Sequence, residues 1–172
     1  MIDLSQLKNI EIVESAQISI EPGVTQAEYE IWKSENPSFQ YTIPHGVSPL
    51  PAVGGLATGG GIGLTTRQWG VTTDYISGVR VILCDGSLWQ IFENDETNTK
   101  CLEECDGDMD LDSDDLQELL YAIKGGGGET LALLPSIILT PWKTPISRSI
   151  SNWSMMCQTE MPYSIRSLHS KT

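Results

Sequence analysis

The chain has 172 residues, a formal net charge of −13 and a hydrophobic share of 40%. That length and composition suit one compact domain with its own core. The excess of acid disfavours non-specific contact with nucleic acid or an anionic membrane surface, both of which rest on Lys and Arg.

Twelve of the 23 acids fall between Glu93 and Glu118, so the rest of the chain is much nearer neutral. Four cysteines, Cys84, Cys101, Cys105 and Cys157, show no CxxC spacing for zinc. They read as free thiols or small buried residues, with a disulfide as the alternative. Met1 to Ile12 lacks the apolar run of a signal peptide. No stretch approaches the roughly 20 apolar residues of a membrane span. The compartment is therefore unknown, cytoplasmic by default.

In chain order, Asn9 to Val13 and Gln17 to Ile20 alternate apolar and polar residues and predict two short strands. Thr25 to Glu28 is a capping box, and a helix is expected from there to about Ser34, stopped by Asn36-Pro37. Tyr41 to Leu50 reads as extended and proline-rich. Pro51 to Gly63 then carries six glycines in thirteen residues. At about 1 kcal/mol of helix penalty per glycine, that segment reads as shaped backbone rather than regular helix or strand. A short helix is expected over Leu64 to Gln68.

Ser77 to Cys84 predicts a strand burying Val79, Val81 and Leu83. Asp85-Gly86 signals a type I′ hairpin, with Ser87 to Phe92 returning. Asn94 to Asp112 reads as an acidic loop. Asp114 to Lys124 predicts an amphipathic helix with Leu116, Leu119, Leu120 and Ile123 on its apolar face, and Tyr121 is read as core. Gly125 to Gly128 ends it, and Leu131 to Thr140 is an apolar strand. Residues 1–142 form one domain and 143–172 an irregular, poorly ordered tail. The class is α+β, a mostly antiparallel sheet with flanking helices, because strands follow one another more often than they alternate with helices.

The glycine segment carries the chemistry. Side-chain-free backbone lets N–H donors approach a ligand closely, and positive φ builds concave anion nests. Gly61-Ile62-Gly63-Leu64-Thr65-Thr66 lacks the third glycine of a Rossmann fingerprint, and no Gly-Lys-Ser/Thr follows for a P-loop. Asp106, Asp108, Asp110 and Asp112 fail the EF-hand pattern, since Leu111 and Gln117 stand where Gly and Glu are needed. They read as a solvated loop, and no metal site is expected. His45 precedes the glycines without a visible carboxylate partner. His169 reads as a solvated tail residue, and Arg67 as a surface cation.

The order of motifs is more specific: VGG, LATGGGIG, LTTRQWGVTTD, GVRVILCDGSL, LLYAIKGGGG, LLPSIIL. This order resembles the second half of the FAD-binding domain in the vanillyl-alcohol-oxidase and berberine-bridge-enzyme superfamily, also called PCMH-type. The resemblance covers about Ile2 to Pro141 and implies an FAD-dependent oxidoreductase moving hydride from an alcohol, sugar or amine to the flavin.

It places Ala52, Val53, Gly54, Gly55, Gly59, Gly60, Gly61, Ile62 and Gly63 against the cofactor through their backbone. Thr58 is a side-chain contact on this reading. Leu131 to Leu134, with Leu133 as the contact, fall at the adenosine end. Gly70 and Asp74 shape the adjoining turn. Ser48 stands where relatives place a flavin-linking cysteine, so FAD would be non-covalent there. Pro135 departs from the family pattern and would break a ladder bond in a central strand.

The family's first subdomain and its substrate domain would lie outside these residues. The chain is thus expected to be a fragment partnered by the missing half of its domain or by a second copy, and poorly soluble alone. No catalytic base is assigned. A non-catalytic remnant and an acidic interaction module remain the alternatives.

Overall fold

The computed structural model describes residues 2–14, 16–105, 111–126 and 133–143. Six strands form one antiparallel sheet in the order β1-β2-β7-β4-β5-β6. They are β1 (Ile10–Glu14), β2 (Gln17–Ile20), β4 (Ile76–Ile82), β5 (Leu88–Phe92), β6 (Lys100–Glu103) and β7 (Leu133–Leu139). A separate pair joins β3 (Tyr41–Thr42) to β8 (Trp142–Lys143). The expected tail beyond residue 143 lies outside the described residues, as do His169, Cys157 and the aspartates at 106, 108 and 110.

The α+β class holds, and the sheet is antiparallel at every pairing. Its core is apolar where period 2 places it. Ile18 and Ile20 of β2, Val79 and Val81 of β4 and Ile137 and Leu139 of β7 are buried, while Leu83 packs at the edge of this cluster.

Helix α1 (Gln26–Glu35) starts at the expected capping box: Thr25 Oγ1 accepts from the Glu28 amide at 3.2 Å, and Glu28 accepts from the Thr25 amide at 2.8 Å. Helix α4 (Ser113–Ile123) buries Leu116, Leu120 and Ile123, with Asp112 as its N-cap. Tyr121 is 80% exposed rather than core. It follows Leu120 by one residue, which on a helix is a rotation of about 100° away from the buried stripe. Among the described residues, no helix is long and apolar enough to cross a membrane.

Several expectations change. The acidic stretch is not all loop: β6 lies within it as an edge strand, pairing Trp89 with Cys101 and Gln90 with Lys100. Backbone ladder bonds hold that strand without an apolar pattern, because its exposed residues face solvent. Cys101 and Cys105 form a disulfide, and Cys84 is free and exposed. The hairpin after β4 is not type I′, which needs positive φ at both central residues. The Gly86 amide donates to Leu83 O at 3.0 Å across Cys84 and Asp85, and only Gly86 has positive φ, at 91°. Asp85 Oδ1 instead accepts from the Ser87 amide and hydroxyl.

Pro135 stays within central β7 through a bulge. Arg80 pairs with Ser136 and Ile82 with Leu133, so three residues of β7 oppose two steps of β4, while β2 pairs only with Ile137 to Leu139. The proline's missing N–H falls in the irregular stretch.

Candidate functional site

The glycine segment is not wholly irregular. Val53–Thr58 forms a six-residue helix, α2. Its glycine penalty is offset by packing: Val53 and Ala57 are fully buried in the core, and α2 lies against β7 and the 3₁₀ turn Thr72–Tyr75. The second expected helix shifts by two residues to α3 (Thr66–Trp69), because Thr66 Oγ1 accepts from the Gly63 amide at 2.8 Å and closes the preceding turn.

Two kinds of glycine share this segment. At Gly54 an added Cβ would lie 2.6 Å from Pro22 Cβ; at Gly61, 2.0 Å from Thr72 Oγ1; at Gly63, 1.9 Å from His45 O. These three are glycines because Pro22, Thr72 and the His45 backbone already occupy the space of a side chain. At Gly55 nothing lies within 4 Å, and its backbone is ordinary helix. Neither packing nor φ asks for glycine there. Gly60 also faces open space, but its φ of 107° already favours glycine.

The amides divide similarly. Val53 donates to Val24 O at 2.7 Å, Gly54 to Pro22 O at 3.1 Å, Gly59 to Gly55 O at 3.1 Å and Gly60 to Ala57 O at 3.4 Å. The amides of Gly55, Gly61 and Ile62 have no partner among the described residues. Ala52 caps α2 and bridges Thr25. Thr58 is buried, and its hydroxyl donates to Gly54 O at 3.0 Å. Its side chain is therefore turned inward, against the expectation of a side-chain contact. Ile62 is 76% exposed. Leu133 opens β7, opposite Ile82.

A groove of about 460 Å³ runs beside Gly55, lined also by Leu4, Ser5, Lys8, Pro51, Ala52 and Leu56. That volume lies within the range of ligand sites. Lys8 is its cation, and it pairs with Glu28 at 2.6 Å. Burial raises the Glu28 carboxyl, but the bonds from Lys8 and Thr25 outweigh it and hold the group below the usual range. The carboxylate thus anchors Lys8 at the groove wall. The donors on this wall, Lys8 and the unbonded Gly55 amide, fit an anionic cofactor.

Flanking residues are structural. Asp74 Oδ2 accepts from the Val71 amide at 2.9 Å, and a Cβ on Gly70 would meet that oxygen at 2.4 Å. The turn reading of Gly70 and Asp74 therefore holds. Arg67 and Ser48 are exposed.

Sequence reasoning missed the partner of His45. Glu30 Oε1 lies 2.9 Å from His45 Nε2, and Gln26 Oε1 3.2 Å from Nδ1. The available signal was a helical stripe: Gln26, Glu30 and Lys33 are spaced four and three apart on α1.

The family model described as FAD binding domain matches residues 1–91, just over half of the chain. The FAD-linked oxidoreductase pynB of Aspergillus niger is 26% identical over 156 residues, 90% of this chain and 25% of its own length. Berberine bridge enzyme-like 1 of Arabidopsis thaliana is 27% identical over 142 residues, 79% of this chain and 22% of its own. The chain thus spans about a quarter of the curated relatives it matches.

Among solved structures, a glucooligosaccharide oxidase from Acremonium strictum, described with a 6-S-cysteinyl, 8α-N1-histidyl FAD, superposes with a TM-score of 0.62. It is 20% identical, covering 83% of this chain and 25% of that one. BBE-like 28 from Arabidopsis thaliana gives 0.61 at 24% identity, with the same coverage. The chain shares the fold of these two proteins.

Proposed function

The chain belongs to the FAD binding domain family, and on that premise we propose that it forms the FAD-binding portion of a flavin-dependent oxidoreductase. The observation that carries this reading is Gly55, a helical glycine with an unbonded amide and open space above it, on the wall of a groove. Such a residue costs helix stability and gives the fold nothing in return. Close approach by a ligand explains it.

Bound there, FAD supplies a two-electron acceptor for an alcohol, sugar or amine substrate of the longer protein. The chain's own residues bind and orient. The amides of Gly55, Gly61 and Ile62 donate to the cofactor, and Ala52, Gly59 and Gly60 present bare backbone. Lys8 adds positive charge. Val53, Gly54, Thr58 and Gly63 hold that surface in shape from behind. Ser48 has a hydroxyl where a thioether needs sulfur, so attachment at this position is non-covalent.

Titration of the purified chain with FAD, followed by flavin fluorescence, tests this. Quenching and a yellow protein are expected. Gly55→Leu, which fills the open space, is expected to weaken binding by about tenfold or more while the circular dichroism spectrum is retained. Denaturation is expected to release all the flavin into solution. Unchanged fluorescence on mixing would end the FAD reading, and flavin retained on the denatured chain would end the non-covalent one.

A further inference from the structure

We propose that His45 is a positioning residue for the glycine turn, holding Gly61 to Gly63 in place through its contact with Glu30 on α1. The inference rests on the FAD-binding reading for its consequence, but on the residues around His45 for its mechanism.

The backbone of residues 44–45 is a rail beneath the turn. Gly63 packs so closely on His45 O that a Cβ would lie 1.9 Å from it. Pro44 O accepts from Thr72 Oγ1 at 2.5 Å, and the same hydroxyl lies 3.2 Å from Gly61 O. The turn therefore sits where this rail puts it, and with it the free amides of Gly61 and Ile62.

The rail is tied to α1 by one side chain. His45 Nε2 lies 2.9 Å from Glu30 Oε1; Nδ1 lies 3.0 Å from Gly46 O and 3.2 Å from Gln26 Oε1. The pair is largely withdrawn from solvent, at 14% and 20% side-chain exposure. Carboxylate and carbonyl oxygens only accept, so a ring serving Glu30 and Gly46 together carries a proton on each nitrogen. A neutral ring must give up one of them. Turning the Gln26 amide over would offer Nδ1 a donor, the otherwise unpartnered Nε2, yet would leave a nitrogen lone pair facing Gly46 O. The hydrogen bond to Gly46 O, beside the rail, is then the one that breaks.

The charges facing the pair come from α1. Lys33 lies near Glu30 and donates to Thr42 Oγ1 at 2.7 Å, and the Tyr29 ring meets His45 edge-on at 6.0 Å. Residues 59–66 of the turn bring no titratable side chain. Burial raises the Glu30 carboxyl, but the His45 bond and the charges of Lys33 and His45 outweigh it and hold Glu30 in its ionised form.

Two readouts on the whole chain test this, and they separate its failure from that of the FAD reading. The first is FAD affinity by fluorescence. His45→Gln and Glu30→Gln are each expected to weaken binding about tenfold. The double variant is expected to be no weaker than either single one. The second is amide hydrogen exchange without FAD. The amides of Gly63, Thr72 and Thr73, which donate to Thr66 Oγ1, Gly61 O and Gly60 O, are expected to exchange faster in both variants, with Ile76–Ile82 unchanged. Binding that neither variant weakens, or exchange at those three amides that neither variant alters, would overturn the proposal. Absence of FAD binding by the wild type removes the FAD reading alone and leaves exchange to decide on His45.

Discussion

The core of the central sheet and the packed part of the glycine segment are both buried, yet by opposite means. In β2, β7 and β4 the side chains decide: Ile20, Ile137 and Val79 meet in a continuous apolar layer with no exposed surface. Between residues 52 and 63 their absence decides. Gly54, Gly61 and Gly63 let Pro22, Thr72 and the His45 backbone approach at distances no side chain allows. The sheet tolerates exchange of one apolar residue for another of similar volume. The glycine segment tolerates nothing at its packed positions, and at Gly55 is constrained only by what comes from outside.

Substitutions can break that comparison. Gly61→Ala combines a φ of 75° with a Cβ 2.0 Å from Thr72 Oγ1, and a loss on the order of 4 kcal/mol is expected, read from the urea midpoint. Ile137→Ala removes a fully buried side chain from the middle of the sheet. It is expected to cost about 3 kcal/mol by the same measurement. Should Gly61→Ala prove the milder of the two, the packed glycines are not the tighter constraint.

Thr25→Ala removes one half of a capping box on the strand side of α1, and a loss of about 1 kcal/mol is expected. Gly55→Ala carries the opposite sign. With nothing within 4 Å of the new Cβ, a gain of about 0.5 kcal/mol is expected, together with weaker FAD binding. Stability and affinity moving the same way at Gly55 would contradict a ligand-facing role.

Acid titration sharpens the view of α1. The folded-state pKa of Glu30 lies below its ordinary 4.5. The stability it contributes is therefore present above that value and is lost as pH falls through the folded pKa. Glu30→Gln is expected to flatten the stability curve below about pH 4.5 while leaving its neutral arm parallel to wild type. An unchanged acid limb would show that Glu30 is not held ionised by His45 and Lys33.

What could be read early was whatever is local. The Thr25 to Glu28 box, the Leu116, Leu120 and Ile123 stripe and the alternation in β4 each lie within one element. Each came out within one or two residues. What escaped involved distant partners. β6 forms because β5 offers an edge, α2 because Val53 and Ala57 find the core, and the Cys101–Cys105 bond because a positive φ at Glu104 folds the chain back. Thr58 turned inward for the same reason: a hydroxyl at that position satisfies its own helix at Gly54 O.

By itself the sequence determined the class of fold and the family, and it singled out the glycine stretch as the candidate site. Periodicity, capping and clustered glycine act over a few residues, and their order along the chain is specific. Only the tertiary structure decided which glycines serve packing and which leave a surface open, and that His45 has a carboxylate partner. Those distinctions depend on Pro22, Thr72 and Glu30, residues whose approach is set by the packing of separate elements rather than by any neighbour in the chain.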